Sequence, residues 1–298
     1  MKICCIVNDK SGSSENESRY QLIELFKQRG VTVDVFKPLQ GKSIAELAQN
    51  AIKQNYDTIV AGGGDGTVSA VASALIGKPL VRMGILPLGT LNHFARDLKI
   101  PSDISLAVDV VCADYTEAID VGCVNGHYFV NNSSVGLYPA IVKLRESLQA
   151  GGYGKWWAAA LSSFRILTRF RRLELELKTS DKIVTKQKTV MLFVGNNAYE
   201  TTLGNFGTRP SIKNGTLWIT MPTLSSRMGL FKSLLNLLLR REKAAAALIF
   251  ETSHLKVTGK NRLMTVANDG EILRLAPPLI YKILPRALNV LVRAPNKD

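Results

Sequence analysis

The chain has 298 residues, of which 46% are hydrophobic and 21% charged, so it can bury a substantial core without disulfides or metals. Its four cysteines include no Cys-x-x-Cys pair, and they predict reduced, buried thiols in a cytosolic protein. No apolar window is long enough for a membrane-spanning helix, and the run Ile3–Val7 is too short for a secretory signal.

The positive charge is concentrated in the second part of the chain. The formal net charge is +14, yet residues 1–122 hold 12 Lys/Arg against 14 Asp/Glu, whereas residues 123–298 hold 26 against 10. This asymmetry predicts two units with different tasks. A basic surface attracts partners rich in phosphate, which are either nucleic acid or an anionic membrane.

The first 120 residues alternate between short apolar strands and amphipathic helices, which predicts a parallel sheet covered on both faces. The predicted strands are Ile3–Val7, Val31–Phe36, Thr58–Ala61 and Met83–Leu86. The predicted helices are Tyr20–Arg29, Ile44–Gln54, Val68–Ile76, Asn92–Leu98 and Leu106–Val111.

The alternation of strands and helices ends near residue 117. After it, Asn125-Gly126 predicts a type I′ hairpin between two strands. Further strands are predicted at Leu173–Lys178, Lys188–Val194, Thr216–Met221, Leu255–Thr258, Met264–Ala267, Leu279–Ile283 and Asn289–Val292. Basic amphipathic helices are predicted at Lys155–Arg172 and Met228–Arg241. We therefore predict an α/β domain over 1–122 and a mostly antiparallel β-sandwich with helical insertions over 123–298, whose last residues can pack back on the first domain.

The segment IVAGGGDGTVSAV, Ile59–Val71, has the glycines of a phosphate-binding loop. It is not a P-loop, and it departs from the dinucleotide fingerprint because Thr67 stands at the third glycine position. Glycines and a following helix N-terminus still favour an anion site. The carboxylate of Asp65 is compatible with phosphate if Mg²⁺ lies between them. The alternative is a turn in which Asp65 caps the next helix.

A second loop, Leu86–Asn92, also follows a predicted strand and opens a helix. Its glycine and threonine offer N–H and hydroxyl donors at the same edge of a doubly wound sheet, where such folds bind ligands. The alternative is an ordinary helix start. The two loops together favour nucleotide phosphate binding.

Three motifs together resemble the diacylglycerol kinase catalytic-domain family, which also includes phospholipid and sphingosine kinases. They are Gly63–Thr67, Leu86–Asp97 and Asn268–Glu271, and the resemblance extends over essentially the whole chain. It implies an α/β nucleotide-binding domain like that of NAD kinase, followed by a β-sandwich. It also implies ATP- and Mg²⁺-dependent phosphorylation of a lipid hydroxyl in phospholipid metabolism.

The resemblance also implies roles for individual residues. Asp65 and Asp120 would belong to the Mg²⁺ network, and either Asp269 or Glu271 would be the base that takes the hydroxyl proton. Without the other motifs, Asp269-Gly270 would be read as a hairpin turn. The residues expected to bind ATP are Asn8, Gly63, Gly64, Asp65, Gly66, Thr67, Val68, Ser69, Gly89, Thr90 and Asn92.

The sequence departs from the family at three places. Asp9 stands where the family often has proline, and His93 replaces a common aspartate after Asn92. Asn214 replaces the aspartate of an Asp-Gly pair that helps some members hold a structural Mg²⁺. These departures keep two alternatives open, which are an inactive lipid or nucleotide sensor and a kinase for a soluble substrate such as NAD.

A lipid substrate implies contact with a membrane. Residues 143–190 hold 11 Lys/Arg against four acids, and Trp156 and Trp157 suit the headgroup region of an anionic membrane. The alternative is that these helices only pack on the sandwich. We expect a cytoplasmic, peripherally membrane-associated protein that binds no nucleic acid, since the basic segments lack a nucleic-acid motif. The sequence leaves open which lipid is phosphorylated and whether the chain forms a homodimer.

Overall fold

A computed structural model describes residues 2–8, 15–38, 43–137, 139, 172–179, 184–200, 207–222 and 247–295. The chain divides into two compact units. The first unit contains residues 1–121, 199–215 and 284–298, and the second contains residues 122–198 and 216–283. Within the described residues, no helix is both long and apolar enough to cross a membrane.

The first unit is an α/β unit whose elements alternate as the sequence predicts. Its strands are β1 (Ile3–Val7), β2 (Val33–Phe36), β3 (Thr58–Gly63) and β4 (Arg82–Pro87). Its helices are α1 (Glu15–Lys27), α2 (Ile44–Lys53), α3 (Asp65–Leu75), α4 (His93–Asp97) and α5 (Ile104–Cys112). Ser43 and Glu46 form a capping box that fixes the start of α2.

The strands of the first unit are parallel and run in the order β2-β1-β3-β4. β1 and β3 are buried along their whole length, as strands covered on both faces are. Because β1 lies between β2 and β3, the connections that leave β1 and β3 go to opposite sides of the sheet. Open α/β sheets bind ligands at the carboxyl ends of the strands beside such a switch point, which here are Val7 and Gly63.

The division of the chain differs from the predicted boundary in one respect. Residues 199–215 belong to the first unit, although the sequence placed them in the second domain; residues 284–298 also belong to the first unit, on which the last residues were expected to be able to pack back. Two interactions within the first unit account for this. Val290 pairs in parallel with Met83 of β4, and the buried carboxylate of Asp120 accepts hydrogen bonds from the backbone amides of Gly215 and Arg286.

The second unit consists of antiparallel strands in two sheets. One sheet has the order β12-β11-β10-β7-β14-β15, and the other contains β13, β8 and β9 with the first residues of β16. The strands are β5 (Thr116–Val124, which begins in the first unit), β6 (His127–Phe129), β7 (Asn132–Gly136), β8 (Leu173–Thr179), β9 (Val184–Thr189), β10 (Met191–Asn196), β11 (Leu217–Pro222), β12 (Ala247–Thr252), β13 (His254–Gly259), β14 (Met264–Asn268), β15 (Glu271–Leu275) and β16 (Leu279–Leu291).

Side chains from both sheets form one core, so the second unit is the predicted sandwich. Val194 and Ile219 come from one sheet, and Leu177, Val257 and Tyr281 come from the other. The hairpin between β5 and β6 turns at Asn125 and Gly126, whose φ values of 46° and 86° are both positive, as a type I′ turn requires.

Some sequence-based boundaries change in the second unit. The predicted strand Lys188–Val194 is interrupted, because the Thr189 hydroxyl bonds to both the amide and the carbonyl of Met191 and separates β9 from β10. The two predicted strands at the C-terminus are one strand, β16, in which Arg286 has a positive φ of 49°. The predicted helices Lys155–Arg172 and Met228–Arg241, with Trp156 and Trp157, lie outside the described residues.

Candidate active site

The glycine loop after β3 lies against the end of β1. The backbone amide of Asn8 donates to the carbonyl of Gly62 at 2.8 Å, and the Asn8 side-chain amide donates to the hydroxyl of Thr67 at 3.4 Å. A β-carbon on Gly63 would lie 2.5 Å from the same hydroxyl, so this position requires glycine. Asn8 and Gly63 therefore shape the loop from either side of Thr67.

The loops after β3 and β4 touch each other through glycines. A β-carbon on Gly89 would lie 2.4 Å from the α-carbon of Gly64 and 2.7 Å from Oδ1 of Asn92. The two backbones can approach this closely only because side chains are absent at the contact. The structure thus brings together the two loops that the sequence singled out.

Asn92 holds the second loop in shape. It has a left-handed backbone with φ of 48°, and its Oδ1 accepts a hydrogen bond from the Gly89 amide at 3.0 Å. Its Nδ2 donates to the carbonyls of Pro87 at 3.1 Å and Gly89 at 2.8 Å. The side chain of Asn92 is therefore engaged within the loop, whereas Thr90 is exposed and can offer its hydroxyl to a ligand.

Asp65 is the first residue of α3 and lies between the two loops. Its Oδ1 accepts a hydrogen bond from the backbone amide of Phe94, in the first turn of α4, at 3.3 Å. Asp65 is half-buried, so solvent still reaches it. A partly exposed carboxylate beside a glycine loop fits Mg²⁺, which is usually held by one or two carboxylates together with phosphate oxygens and water.

The start of α3 limits which loop groups can contact phosphate. No side chain caps this helix, and the amides of Thr67 and Val68 donate to the carbonyl of Gly64. The first-turn amides of Asp65 and Gly66 have no partner within a helix, and a β-carbon on Gly66 would meet nothing within 4 Å. Gly66 is exposed, whereas the side chains of Thr67, Val68 and Ser69 are buried.

We assign Gly66 to ATP binding and Gly89 to the packing of the two loops against each other, and a pair of variants tests this assignment. We expect Gly66→Ala to leave the urea midpoint of unfolding unchanged, because the added methyl group would meet nothing within 4 Å, but to weaken ATP binding by adding bulk to the exposed backbone that a phosphate would approach. We expect Gly89→Ala to lower the urea midpoint and ATP affinity together, because its methyl group would push the loops apart. Equal ATP affinity in both variants and the wild type would contradict the assignment.

Asp120 has a structural role within the first unit. It is fully buried, its Oδ2 accepts from the Gly215 amide at 2.6 Å, and its Oδ1 accepts from the Arg286 amide at 2.9 Å. Among the described residues, no three His, Cys, Asp or Glu side chains come together as a metal site. The membership of Asp120 in a Mg²⁺ network therefore stays a prediction. His93 and Asn214 are exposed, and Asp9 lies outside the described residues.

Asp269 and Glu271 occupy one hairpin of the second unit but have different surroundings. Asp269 and Gly270 form the two-residue turn between β14 and β15, with φ values of 47° and 90°. The Asp269 carboxylate accepts hydrogen bonds from three consecutive backbone amides at 2.7, 2.9 and 3.0 Å. Those amides belong to Val130, Asn131 and Asn132. The side chain of Glu271 is exposed and forms no hydrogen bond or ion pair with the described residues.

One buried ion pair of the first unit was missed by the sequence analysis. Arg209 and Asp97 are bonded through side chains that are 0% and 6% exposed. A signal for Asp97 was present, because it follows Phe94 by three residues and so shares the buried side of α4. Nothing in the sequence around Arg209 indicates a buried cation.

The comparisons with known proteins agree with these motifs. The family model "Diacylglycerol kinase catalytic domain" matches residues 2–124. A diacylglycerol kinase of Staphylococcus haemolyticus is 33% identical over 148 residues, which cover 49% of this chain and 44% of that protein. A diacylglycerol kinase of Staphylococcus aureus is 31% identical over 149 residues, which cover 50% and 47%. The chain thus spans about half the length of the curated relatives it matches.

Solved structures show the same fold. A putative diacylglycerol kinase from Bacillus anthracis superposes with a TM-score of 0.75 at 21% sequence identity, over 98% of this chain and 97% of that one. A second structure described as a diacylglycerol kinase from the same organism gives a TM-score of 0.70 at 19% identity, with the same coverage. Residues 2–124 of the chain are therefore similar to the diacylglycerol kinase catalytic domain.

Proposed function

We propose that the protein is a lipid kinase that transfers the γ-phosphoryl group of ATP, with Mg²⁺, to a hydroxyl group of a lipid such as diacylglycerol. The observation that carries this proposal is the contact of two glycine loops beside the half-buried carboxylate of Asp65. Free first-turn amides and an anionic side chain at one point fit a phosphate chain accompanied by a divalent cation. The relatives that carry the name diacylglycerol kinase support the same reaction class.

In this proposal the two loops bind the phosphate groups of ATP, and the Asp65 carboxylate positions Mg²⁺. The amides of Asp65 and Gly66 and the hydroxyl of Thr90 would donate to phosphate oxygens, and Asn92 would keep the second loop in place. When bound, Mg²⁺ supplies the positive charge that offsets the repulsion between a carboxylate and a triphosphate. Asp65 would fix the position of that charge.

Glu271 is the better candidate for the base. Each oxygen of the Asp269 carboxylate already accepts backbone hydrogen bonds, which stabilise the anion and occupy its lone pairs. Glu271 is exposed and can accept the proton of a substrate hydroxyl. In the reaction, the hydroxyl oxygen forms a bond to the γ-phosphorus, its proton passes to Glu271, and the bond to ADP breaks.

The second face of the six-stranded sheet supports an apolar acceptor. An antiparallel sheet that is covered on one face usually carries polar side chains on the other. Here the row of residues that faces away from the sandwich core contains no charge, and the buried hydroxyls of Ser134 and Thr220 in it have no hydrogen-bond partner among the residues that the structure describes. The row crosses all six strands through Ile249, Thr220, Phe193, Ser134, Ala267 and Ile272.

The direct test is a panel of acceptors incubated with the purified chain, labelled ATP and Mg²⁺. The panel contains diacylglycerol, a sphingoid base, phosphatidylglycerol and NAD. We expect the label to appear in a lipid extracted into organic solvent and to require Mg²⁺. Label on NAD alone would favour the soluble-substrate kinase, and ATP binding without transfer to any acceptor of the panel would favour the inactive sensor.

We also propose that the second unit makes peripheral contact with anionic lipid, and one sheet face supports this. Lys178 of β8 and Lys256 of β13 are directly opposite each other and exposed, and Lys282 is opposite His254. Like charges opposite each other destabilise a sheet, and no acidic partner is found for these three lysines among the described residues. They lie on inner strands, so protection of a sheet edge does not explain them.

Replacing these three lysines by glutamine should weaken binding to vesicles that contain phosphatidylglycerol. Each basic side chain near an anionic surface contributes about 1 kcal/mol, so the triple variant should lose on the order of 100-fold in affinity. Sedimentation with vesicles of phosphatidylcholine, with and without phosphatidylglycerol, measures this.

A matched control removes the same charge from the first unit by replacing Lys27, Lys53 and Lys78, which are also exposed. It should retain most of the vesicle binding. Equal losses in the two triple variants would mean that net charge, rather than this sheet face, governs membrane contact.

A further inference from the structure

A buried carboxylate joins α4 to a distant segment of the first unit. Oδ2 of Asp97 accepts from Nε of Arg209 at 2.7 Å and lies 2.6 Å from its NH2 nitrogen. Oδ1 of Asp97 accepts from the backbone amide of the same arginine at 3.3 Å. The carboxylate therefore holds both the side chain and the main chain of Arg209.

The guanidinium group of Arg209 is also packed against aromatic rings. It lies 5.9 Å from the centre of the Phe94 ring and 5.5 Å from that of Tyr199, both within cation–π range. Phe94 belongs to α4 and is fully buried. Arg209 thus contacts α4 at two points, through Asp97 and through Phe94.

α4 has only five residues, which is too short to be stable without tertiary contacts. Its first turn supplies the amide of Phe94 that donates to Oδ1 of Asp65. A shift of this single turn would therefore move the one backbone donor that the described part of the chain gives to the Asp65 carboxylate. The pair that anchors the turn is placed to control the orientation of that carboxylate.

We infer that the buried Arg209–Asp97 pair is a positioning device, which sets the Asp65 carboxylate through α4 for Mg²⁺-nucleotide binding. The inference rests on the proposed function for the role of Asp65. Neither member of the pair touches substrate in this role. Arg209 and Asp97 act through the backbone of Phe94, so their effect should appear in the Mg²⁺ dependence of nucleotide binding.

The test replaces the pair by apolar residues of similar size, Arg209→Met with Asp97→Leu. Such a replacement of a buried ion pair often leaves stability unchanged, so folding and positioning can be separated. We expect a folded double variant in which the Mg²⁺ concentration needed for half-maximal ATP binding, measured by calorimetry, rises at least tenfold. We also expect kcat to fall at least tenfold, while ATP binding without Mg²⁺ changes less than twofold.

The control is Arg29→Met with Asp109→Leu, an ion pair of the same unit whose side chains are 19% and 51% exposed. It should leave the Mg²⁺ dependence unchanged. If the double variant at Arg209 and Asp97 does not fold, the conservative variant Arg209→Lys takes its place, because it keeps the charge but loses the fixed geometry of the guanidinium group. A folded variant with wild-type Mg²⁺ dependence overturns the inference.

Failure of the proposed function can be distinguished from failure of the inference about the Arg209–Asp97 pair. Calorimetry of the wild-type chain with ATP and Mg²⁺ gives a readout that does not depend on turnover. If the wild type binds Mg²⁺-ATP but phosphorylates no lipid, the proposed function fails while the positioning test can still be made. If the wild type is an active lipid kinase and the pair variants retain its Mg²⁺ dependence, only the inference about the pair fails.

Discussion

Replacing Asp65 by alanine or asparagine should lower kcat for lipid phosphorylation at least 1000-fold while the chain stays folded. In the proposed site, Asp65 is the carboxylate that positions the cation on the phosphates. A loss of about 4 kcal/mol of electrostatic stabilisation in the transition state corresponds to about a 1000-fold decrease in rate. Labelled-ATP transfer to diacylglycerol, measured at saturating Mg²⁺, tests the expectation.

The two substitutions separate charge from packing. Asn at position 65 keeps an oxygen that can accept the hydrogen bond from the Phe94 amide, whereas Ala removes it. If the charge of Asp65 is what matters, both variants should be equally inactive. If the carboxylate mainly orders α4, Asp65→Asn should retain most of the activity.

A matched control is Asp103→Ala, which removes another aspartate at the start of a helix in the same unit. The Asp103 side chain caps α5 by accepting from the amide of Leu106 at 2.9 Å. Its loss should cost about 1 kcal/mol of unfolding free energy without lowering kcat. An Asp65→Asn variant that retains a tenth of the wild-type kcat would refute the metal-positioning role.

The loops were predictable from the sequence because their signals are local. An apolar run followed by glycine predicts the end of a strand and the start of a loop. Gly63 and Gly89 both follow such a run, so the two loops can be found from neighbouring residues alone. The contact between Gly64 and Gly89 also follows from the parallel order, since neighbouring strands end at the same edge of the sheet.

The buried ion pair could not be predicted, because it depends on a contact between residues far apart in the chain. Arg209 and Asp97 are separated by 112 positions, and no local pattern indicates that a cation will be buried there.

Strand β7 was missed because Ser133 and Ser134 stand where an apolar alternation would be expected, and both are fully buried. Periodicity finds half-buried strands and fails on central strands that carry small polar residues.

The choice between Asp269 and Glu271 shows the same limit. Sequence reasoning could place both acids on one hairpin, but it could not foresee that the backbone amides of Val130 and Asn131, more than 130 positions away, would bind one of them. The structure therefore gives the two neighbours different expected behaviour on substitution.

We expect Glu271→Gln to lower kcat by 100- to 10,000-fold, which is the usual contribution of a general base, while the urea midpoint stays at the wild-type value. The side chain is exposed and has no partner among the described residues, so its substitution removes a proton acceptor and no native contact. An exposed acid of the same unit, Glu251, serves as the control, and Glu251→Gln should keep the wild-type kcat.

Asp269→Ala should mainly lower stability, whereas Glu271→Gln should mainly lower kcat. Losing the acceptor for three backbone amides should cost about 3 kcal/mol of unfolding free energy, because buried donors would be left without partners. Any fall in kcat should be smaller, at a temperature where the variant is folded, than the fall caused by Glu271→Gln. If Glu271→Gln keeps the wild-type kcat, the proton passes to another group and Glu271 is not the base.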